Sequence, residues 1–288
     1  MATVGEWIGG ARLRTLAAAI APVIVGTSLA APDFDAVNGT LALLVALCLQ
    51  IGVNYSNDYS DGIRGTDTDR VGPMRLVGSG KALPAKVRSA AFTFFFLAGV
   101  CGAILAVRTS LWLILVGALS ILAAWGYTGG KNPYGYRALG EISVFIFFGL
   151  VAVMGSYFAQ TQELTLLSLI VAIPVGAQAC AILVLNNLRD RAKDANVGKR
   201  TLAVLMGERG TRYLFACFIL GSNLIGILTS LSKPWTAITA VLLPMAIYLS
   251  LTVLKGAGGR DLISLLQRTA LFQLFFALLY ASGFALSA

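Results

Sequence analysis

Two groups of acidic and amide side chains are spaced so that each group lies along one face of a helix. The first group has the spacing i, i+3, i+4 and i+7, and the second has the spacing i, i+4 and i+8. The members are Asn54, Asn57, Asp58 and Asp61 in the first group, and Asn186, Asp190 and Asp194 in the second. Because carboxylates this close on one helix face repel each other, each group needs a nearby positive charge.

The ligand types restrict which cation could supply that charge. The chain contains no histidine and its four cysteines lie elsewhere, so the candidate ligands are all oxygen atoms. Oxygen ligands select a hard cation, Mg²⁺ before Ca²⁺, and proteins commonly bind Mg²⁺ with one or two carboxylates together with substrate phosphates. The lack of histidine also excludes a histidine general base, a Ser-His-Asp triad and a His-ligated haem.

Basic residues and glycines follow both acidic groups in the same order along the chain. Arg64 and the run GPMRLVGSG follow the first group, and a Gly-containing turn with Lys199 and Arg200 follows the second. A third Gly-rich turn carries Lys131 and Arg137. The alternative interpretation is that both groups are solvated helix ends paired with neighbouring arginines. Two matched groups, each beside basic residues, favour a site for a metal ion and a phosphate.

The elements that carry these groups are long apolar segments. Hydrophobic residues make up 57% of the 288 residues, charged residues make up 12%, and the mean hydropathy is +0.81. This composition excludes a disordered chain and argues against a soluble domain. A helix needs about 20 residues to cross the hydrocarbon core, and nine uncharged segments approach or exceed that length without the alternation of a β-barrel. The predicted spans lie near 13–32, 36–60, 86–107, 109–130, 138–160, 164–190, 211–232, 234–255 and 266–288.

The predicted fold class is therefore an all-α integral membrane protein, with nine transmembrane helices in a single domain, residues 1–288. Of the 22 Lys and Arg residues, 20 lie in the N-terminal segment and in alternate loops on one side. Positive loops stay cytoplasmic. We therefore expect a multi-pass protein of the cell membrane, with the N-terminus and both acidic groups in the cytoplasm and the C-terminus outside. The lipid bilayer is an expected partner, whereas nucleic acid is not, because no basic loop has interleaved aromatic residues.

The motifs resemble those of the UbiA superfamily of intramembrane aromatic prenyltransferases. The resemblance rests on Asn57-Asp58-Tyr-Ser-Asp61 and Asp190-x-x-x-Asp194, at the ends of the second and sixth predicted spans. Within the superfamily, the runs GARLRTL, NDYSDGIRGTD, GPMRLVGSG and NNLRDRAKDANVGKRTLAVLMG are similar to the MenA branch, the 1,4-dihydroxy-2-naphthoate polyprenyltransferases of menaquinone biosynthesis. Gly65 stands where many members have the last Asp of the first motif, and Asp67 follows two residues later.

The resemblance implies a UbiA-like helix bundle with an active-site cavity that faces the cytoplasm. The implied reaction transfers a polyprenyl group from polyprenyl diphosphate to 1,4-dihydroxy-2-naphthoate, releases diphosphate and CO₂, and yields demethylmenaquinol. The implied cofactor is Mg²⁺, bound by Asn57, Asp58, Asp61, Asp190 and Asp194. The implied catalytic residues are Asp61, Asp190, Asp194 and Lys131. The implied substrate-binding residues are Arg12, Arg64, Asp67, Tyr127, Lys131, Arg137, Asn187, Lys199 and Arg200.

Three alternatives remain open on the sequence. One is another UbiA-type aromatic prenyltransferase. A second is a CDP-alcohol phosphotransferase, suggested by Asp58-x-x-Asp61-Gly62, although the other motifs of that class are missing. The third is an anion transporter, a class that usually places ionisable groups near the membrane midplane, whereas the acids here lie at span ends. The sequence does not indicate the oligomeric state.

Overall fold

The computed structural model describes residues 2–65 and 74–288, and most of these residues are helical. The α-helices are α1 (Val4–Ala11), α2 (Ala17–Ser28), α3 (Ala36–Ile63), α4 (Pro84–Arg108), α5 (Trp112–Gly126), α6 (Gly140–Val144), α7 (Gly155–Thr161), α8 (Leu166–Asn196), α9 (Leu202–Leu228), α10 (Leu243–Leu254) and α11 (Asp261–Leu286). A π-helical stretch, Phe145–Met154, joins α6 to α7. Short 3₁₀ segments lie at Leu13–Thr15, Tyr134–Tyr136, Thr229–Leu231 and Pro234–Leu242.

Seven helices in the described ranges are long and apolar enough to cross a membrane. An eighth span is formed if Val4–Thr15 and Ala17–Ser28, which meet at a bend of 49°, count as one. Helix α5 is apolar but has only 15 residues. These elements coincide with the nine predicted segments, so the all-α, multi-pass membrane class is confirmed. The count of nine complete crossings stays a prediction.

Two predicted spans are shorter in the structure than in the sequence pattern, for local reasons. The first was expected near 13–32, but Arg12 adopts a left-handed conformation with φ 53° and ends α1, so the next α-helix begins only at Ala17. The fourth was expected near 109–130, but α5 ends at Gly126 and the chain turns at Gly130, where φ is +75°. Glycine adopts this conformation at little cost.

The core lies around α8, which packs against α2, α9, α11 and the π-helical stretch. Glycines allow the backbones to approach closely where the π-helical stretch meets α8 and where it meets α2. A Cβ atom on Gly149 would lie 2.7 Å from the Cα of Gly176, and one on Gly26 of α2 would lie 2.2 Å from the carbonyl oxygen of Val153. Helices in lipid associate largely through such close packing of small residues. These contacts fix the π-helical stretch between α2 and α8.

A polar network joins α3, α4 and α7 at the end opposite the acidic groups. Asp35 caps α3 by accepting from the amides of Val37 and Asn38, and the pKa of Asp35 is held below its usual range by these amides and by Arg108. Arg108 donates to Asp35 and to Asn38, at 2.8 Å each. The Asp35 amide also donates to the side chain of Gln160 at 2.7 Å. The network therefore closes one end of the bundle.

Helices α3 and α8 both continue beyond the predicted spans. Helix α3 reaches Ile63 and α8 reaches Asn196, so both acidic groups lie on regular helix. The predicted helical spacing of the two groups is thereby confirmed.

Candidate active site

Asp61 lies near the end of α3 and is 7% exposed. Its Oδ1 accepts a hydrogen bond from the Tyr136 hydroxyl at 2.6 Å, and its Oδ2 accepts one from the Arg75 guanidinium at 3.2 Å. Burial, together with the charge of Asp61, raises the pKa of Tyr136 above its ordinary range. Tyr136 therefore stays protonated and orients the carboxylate as a hydrogen-bond donor.

Tyr136 also connects Asp61 with the acidic group of α8. The ammonium of Lys199 lies 5.0 Å from the centre of the Tyr136 ring and 3.6 Å from Oδ1 of Asp194. Oδ2 of Asp194 is buried and has no hydrogen-bond partner among the described residues. The two acidic groups, which are about 130 residues apart in the sequence, thus lie on either side of one tyrosine.

The other two acids are neutralised by groups of the chain itself. Both oxygens of Asp58 accept backbone amides, from Leu76 at 2.8 Å and from Val77 at 3.0 Å. Asp190 accepts two hydrogen bonds from the Arg189 side chain, at 2.8 and 2.7 Å. Within residues 2–65 and 74–288, no three acidic or cysteine side chains are close enough to hold one ion. Local donors therefore hold Asp58 and Asp190, and the five-residue metal set stays a prediction.

The Gly-rich turn after α5 forms the third side of the site. Arg64 donates to the carbonyl oxygens of Thr128 and Gly130, at 2.5 Å each, and its guanidinium lies 5.3 Å from the centre of the Tyr136 ring. Thr128 donates to the side-chain oxygen of Asn57 at 2.6 Å. Arg64 therefore holds the turn against the end of α3, and its phosphate-binding role stays a prediction.

A buried acid that the sequence patterns did not single out lies behind the site. Glu141 accepts a hydrogen bond from the amide of Asn187 at 2.9 Å, and its other oxygen is buried without a partner in the described part of the chain. A Cβ on Gly140 would lie 3.2 Å from the Tyr127 hydroxyl, so this hydroxyl is beside the start of α6. Glu141 is a lone acid at the edge of an apolar segment, a pattern that carries no functional signal.

The remaining predicted site residues lie around this cluster. Lys131 and Arg137 are exposed in the turn, and Arg200 is exposed while its amide donates to the carbonyl of Tyr136 at 3.1 Å. Arg12 lies at the break between α1 and α2, next to Ala11, whose carbonyl accepts from Asn54. Asp67 lies outside the described residues.

An apolar cavity of about 310 Å³ extends from this cluster into the bundle. The helices α2 to α5 and the continuous helix of α6, the π-helical stretch and α7 form its walls. Most of the polar lining groups, Asn54, Asn57, Tyr127, Tyr134 and Ser143, lie toward the acidic end, and Gln50, Ser120 and Ser156 line the cavity deeper in the bundle. Along α3 the lining residues run from Ala42 to Asn57, a distance of about 22 Å at the helical rise. The shape suits a long apolar chain with a polar head at the acidic end.

The sequence matches the model of the UbiA prenyltransferase family over residues 19–279. The chain belongs to the UbiA prenyltransferase family. The resemblance stated from the motifs is thereby confirmed, and this UbiA prenyltransferase is an enzyme of the polyprenyltransferase class.

Curated relatives of this UbiA chain extend over its whole length. The 1,4-dihydroxy-2-naphthoate octaprenyltransferase of Mycobacterium tuberculosis is 47% identical, with 99% of this chain and 98% of the relative covered. The Escherichia coli protein of the same name is 36% identical, with 98% of this chain and 95% of the relative covered. The predicted branch of the family is thus confirmed.

Solved UbiA structures share the fold at low sequence identity. A UbiA homologue from Aeropyrum pernix superposes with a TM-score of 0.73 at 15% identity, with 93% of this chain and 96% of that chain covered. A UbiA homologue from Archaeoglobus fulgidus, bound to DMAPP and Mg²⁺, superposes with a TM-score of 0.70 at 12% identity, with 96% and 99% covered. The UbiA-like bundle predicted from the motifs is therefore confirmed as the fold.

Proposed function

We propose that this chain transfers a polyprenyl group from polyprenyl diphosphate to 1,4-dihydroxy-2-naphthoate in menaquinone biosynthesis, with release of diphosphate and CO₂. The main structural support is the apolar cavity beside the two acidic groups. The chain is also related over its full length to 1,4-dihydroxy-2-naphthoate octaprenyltransferases. The cavity accepts the tail, and the polar end accepts the diphosphate and the aromatic acid. A bicyclic acceptor distinguishes this branch from other aromatic prenyltransferases.

Mg²⁺ is the proposed cofactor, and the donor set fits it. Asn57, Asp61, Asp190 and Asp194 offer only oxygen atoms, and one oxygen of Asp194 is buried without a described partner. Hard cations prefer such oxygen donors, and Mg²⁺ is usually shared between carboxylates and substrate phosphates. When bound, the ion neutralises the diphosphate leaving group. The catalytic roles of Asp61, Asp190 and Asp194 in this proposal are to hold that charge in place.

The cations around the site are proposed to bind the diphosphate oxygens. The ammonium of Lys199 lies over the Tyr136 ring, beside Asp194. The guanidinium of Arg64, at the end of α3, also lies over the Tyr136 ring. Arg200 and Lys131 complete the proposed set from the neighbouring turns. Fixed positive groups aimed at the leaving group stabilise the charge that develops as the allylic C–O bond breaks.

The acceptor is proposed to lie between the diphosphate and the apolar cavity. Its carboxylate is an anion, and Arg12, Arg137 or Lys131 is the proposed counter-charge. Tyr127 lines the cavity at this end and offers a hydroxyl group, whereas Asn187 acts through its hydrogen bond to Glu141. The apolar walls exclude water that would otherwise react with the allylic cation.

The proposed setting is the cell membrane, with the N-terminus and the acidic ends of α3 and α8 in the cytoplasm and the C-terminus outside. The basis for this orientation is the distribution of Lys and Arg between the two sides. Both substrates then meet at the cytoplasmic face.

The experiment is a prenyl-transfer assay on purified protein in detergent with Mg²⁺, a polyprenyl diphosphate and either 1,4-dihydroxy-2-naphthoate or 4-hydroxybenzoate. We expect the naphthoate to react far faster. Asp61→Asn and Asp190→Asn are each expected to lower kcat by at least about 100-fold, the scale for losing one electrostatic stabiliser. The exposed Asp33, at the opposite end, provides the control Asp33→Asn, which keeps normal rates.

The two variants also test whether both acids serve one site. If they do, the double variant loses much less than the product of the single losses, and raised Mg²⁺ partly restores the single variants. Near-normal rates for Asp190→Asn, or losses that simply multiply, contradict a shared site. Equal rates with the two acceptors contradict the assigned substrate.

A further inference from the structure

The structure assigns Arg75 as a diphosphate-binding residue and Asp58 as the residue that positions it. This inference rests on the proposed function, because it deepens the description of the same site. It also replaces the predicted role of Asp58 as a metal ligand.

Arg75 is a buried cation at the site, with 6% of its surface exposed. Its Nη2 donates to Oδ2 of Asp61, the carboxylate proposed to bind the metal ion. A guanidinium at this place supplies the positive charge that two acids on one helix face require. Arg75 therefore acts as the counter-ion of Asp61 when no other cation is bound.

The turn after Arg75 is held rigidly by its own hydrogen bonds. The Ser79 amide and hydroxyl both donate to the Arg75 carbonyl, at 3.1 and 2.5 Å. The amides of Lys81 and Ala82 donate to the Leu76 carbonyl, at 3.0 Å each. The Leu76 side chain is fully buried in an apolar cluster that contains Tyr55 and Phe95. The segment is thus a compact turn with its own hydrophobic anchor.

Asp58 attaches this turn to α3 at one point. Its two oxygens accept the amides of Leu76 and Val77, the two residues directly after Arg75, and only 1% of Asp58 is exposed. A carboxylate that accepts two backbone amides forms strong, charge-assisted hydrogen bonds. One helical turn further on, a Cβ on Gly62 would lie 2.4 Å from Val77, so the turn rests directly on the helix. Because Asp58 and Asp61 share one helix face, this attachment brings Arg75 to Asp61.

The same geometry indicates what Arg75 does when substrate binds. Asp61 would hold a divalent cation in place of the guanidinium, and the Asp58 attachment would keep Arg75 beside that carboxylate. The guanidinium then faces the diphosphate that shares the cation. Its planar set of N–H donors matches phosphate oxygens, which a lysine at the same place does less well. Asp58 contributes through Arg75, and the metal ion is held by other residues.

The test separates metal binding from diphosphate binding in the purified full-length protein. Mn²⁺ affinity is measured by electron paramagnetic resonance, and inorganic pyrophosphate affinity is measured by calorimetry with Mg²⁺ present. Arg75→Gln and Asp58→Asn are each expected to weaken pyrophosphate binding roughly ten- to hundred-fold, the loss for a charged hydrogen bond. Asp58→Asn keeps Mn²⁺ affinity within about twofold, and Arg75→Gln keeps or raises it because the guanidinium no longer competes for Asp61. Asp61→Asn, in contrast, weakens Mn²⁺ binding about tenfold or more. The double variant Asp58→Asn/Arg75→Gln is no worse than Arg75→Gln alone.

Three further variants complete the design. Arg75→Lys keeps the charge and is expected to bind pyrophosphate with intermediate affinity. Ser79→Ala loosens the same turn mildly, weakens pyrophosphate binding by a smaller factor, and serves if Asp58→Asn does not fold. Arg108→Gln, which removes an arginine paired with Asp35 at the opposite end, leaves both affinities unchanged.

Several results overturn the assignment. Loss of Mn²⁺ affinity in Asp58→Asn to the degree seen in Asp61→Asn makes Asp58 a metal ligand. Normal pyrophosphate binding in Arg75→Gln removes its role, and a raised KM for the aromatic acid alone assigns Arg75 to the substrate carboxylate instead. If Asp61→Asn leaves Mn²⁺ binding intact, the proposed metal site fails, while the effect of Asp58 and Arg75 on pyrophosphate still decides this inference.

Discussion

The contact between α2 and the π-helical stretch depends on Gly26, and replacing it with alanine tests how closely the bundle is packed. The added Cβ would lie 2.2 Å from the Val153 carbonyl oxygen and 2.8 Å from the Ser156 side chain. Real Cβ atoms essentially never come closer than 3.0 Å, so α2 must move by about 1 Å. Overpacking costs about 1–3 kcal/mol, and this contact lies in the upper part of that range, at about 2–3 kcal/mol, because a backbone carbonyl cannot move aside as a flexible side chain can. Alanine regains up to about 1 kcal/mol in helix propensity, which leaves a net loss of about 1–2 kcal/mol.

For a chain of this size, we expect Gly26→Ala to lower Tm by roughly 2–8 °C. Thermal unfolding in detergent, followed by intrinsic fluorescence, measures the change. Gly221 of α9 has no atom within 4 Å of an added Cβ, so Gly221→Ala is the matched control and keeps or slightly raises Tm. The prenyl-transfer assay adds a second readout, because residues on both sides of the contact line the cavity. Equal Tm values for the two variants refute the packing argument.

Three other predictions concern topology, pH dependence and a buried arginine. In a cysteine-free background, Lys255→Cys reacts with an impermeant maleimide only from the cytoplasm and Asp33→Cys only from outside; the reverse pattern in intact cells contradicts the orientation. Tyr136→Phe lowers Tm by a constant amount below about pH 9, and the difference in Tm between the variant and the original protein shrinks above about pH 10. The reason is that the raised pKa keeps Tyr136 neutral in the folded protein, whereas the unfolded tyrosine ionises. A difference in Tm that stays constant up to pH 11 counts against this. Arg212 is 7% exposed and donates a hydrogen bond to a backbone carbonyl of α10 at 2.6 Å. Arg212→Met is therefore expected to lower the free energy of unfolding by about 1–3 kcal/mol. Arg209 is exposed, so Arg209→Met is the control and changes the free energy of unfolding little.

The parts of the site that follow helical periodicity could be predicted from the sequence. The positions of Asp61 and Asp194 on helix faces follow from spacing alone, and the apolar segments locate the helices that carry them. The role of Asp58 could not be predicted in this way. Like-charge repulsion on one helix face demands a counter-charge, but it does not say whether a metal ion or the chain supplies it. Here a turn 18 residues later supplies two amides, and Arg75 supplies a cation.

Contacts between distant parts of the chain leave no periodic pattern in the sequence. They account for most of the site contacts that the sequence does not predict. Asn187 donates a hydrogen bond to Glu141, which is 46 residues away in the sequence. Asn54 donates one to the Ala11 carbonyl, which is 43 residues away. Each of these residues read alone is an ordinary polar group at a helix end. Their importance appears only when the bundle places them together, with less than a tenth of the surface of Glu141, Asn187 and Asn54 exposed.

The π-helical stretch has an evolutionary consequence, because it determines which changes of the cavity wall the fold can accept. Ser143, Phe147, Val151 and Gly155 all line the cavity, as do the residues that follow each of them. In an α-helix, a row of residues four apart drifts by about 40° per step, or about 120° from the first to the last. The wider π turns hold more residues each and rotate the row in the opposite sense, and all four positions line the cavity. Substitutions along this row can change the width of the cavity one residue at a time. A single-residue deletion, in contrast, would rotate all the lining residues on one side of the deletion away from the cavity. The fold should therefore accept changes to the lining of Gly140–Thr161 more readily than changes to its length.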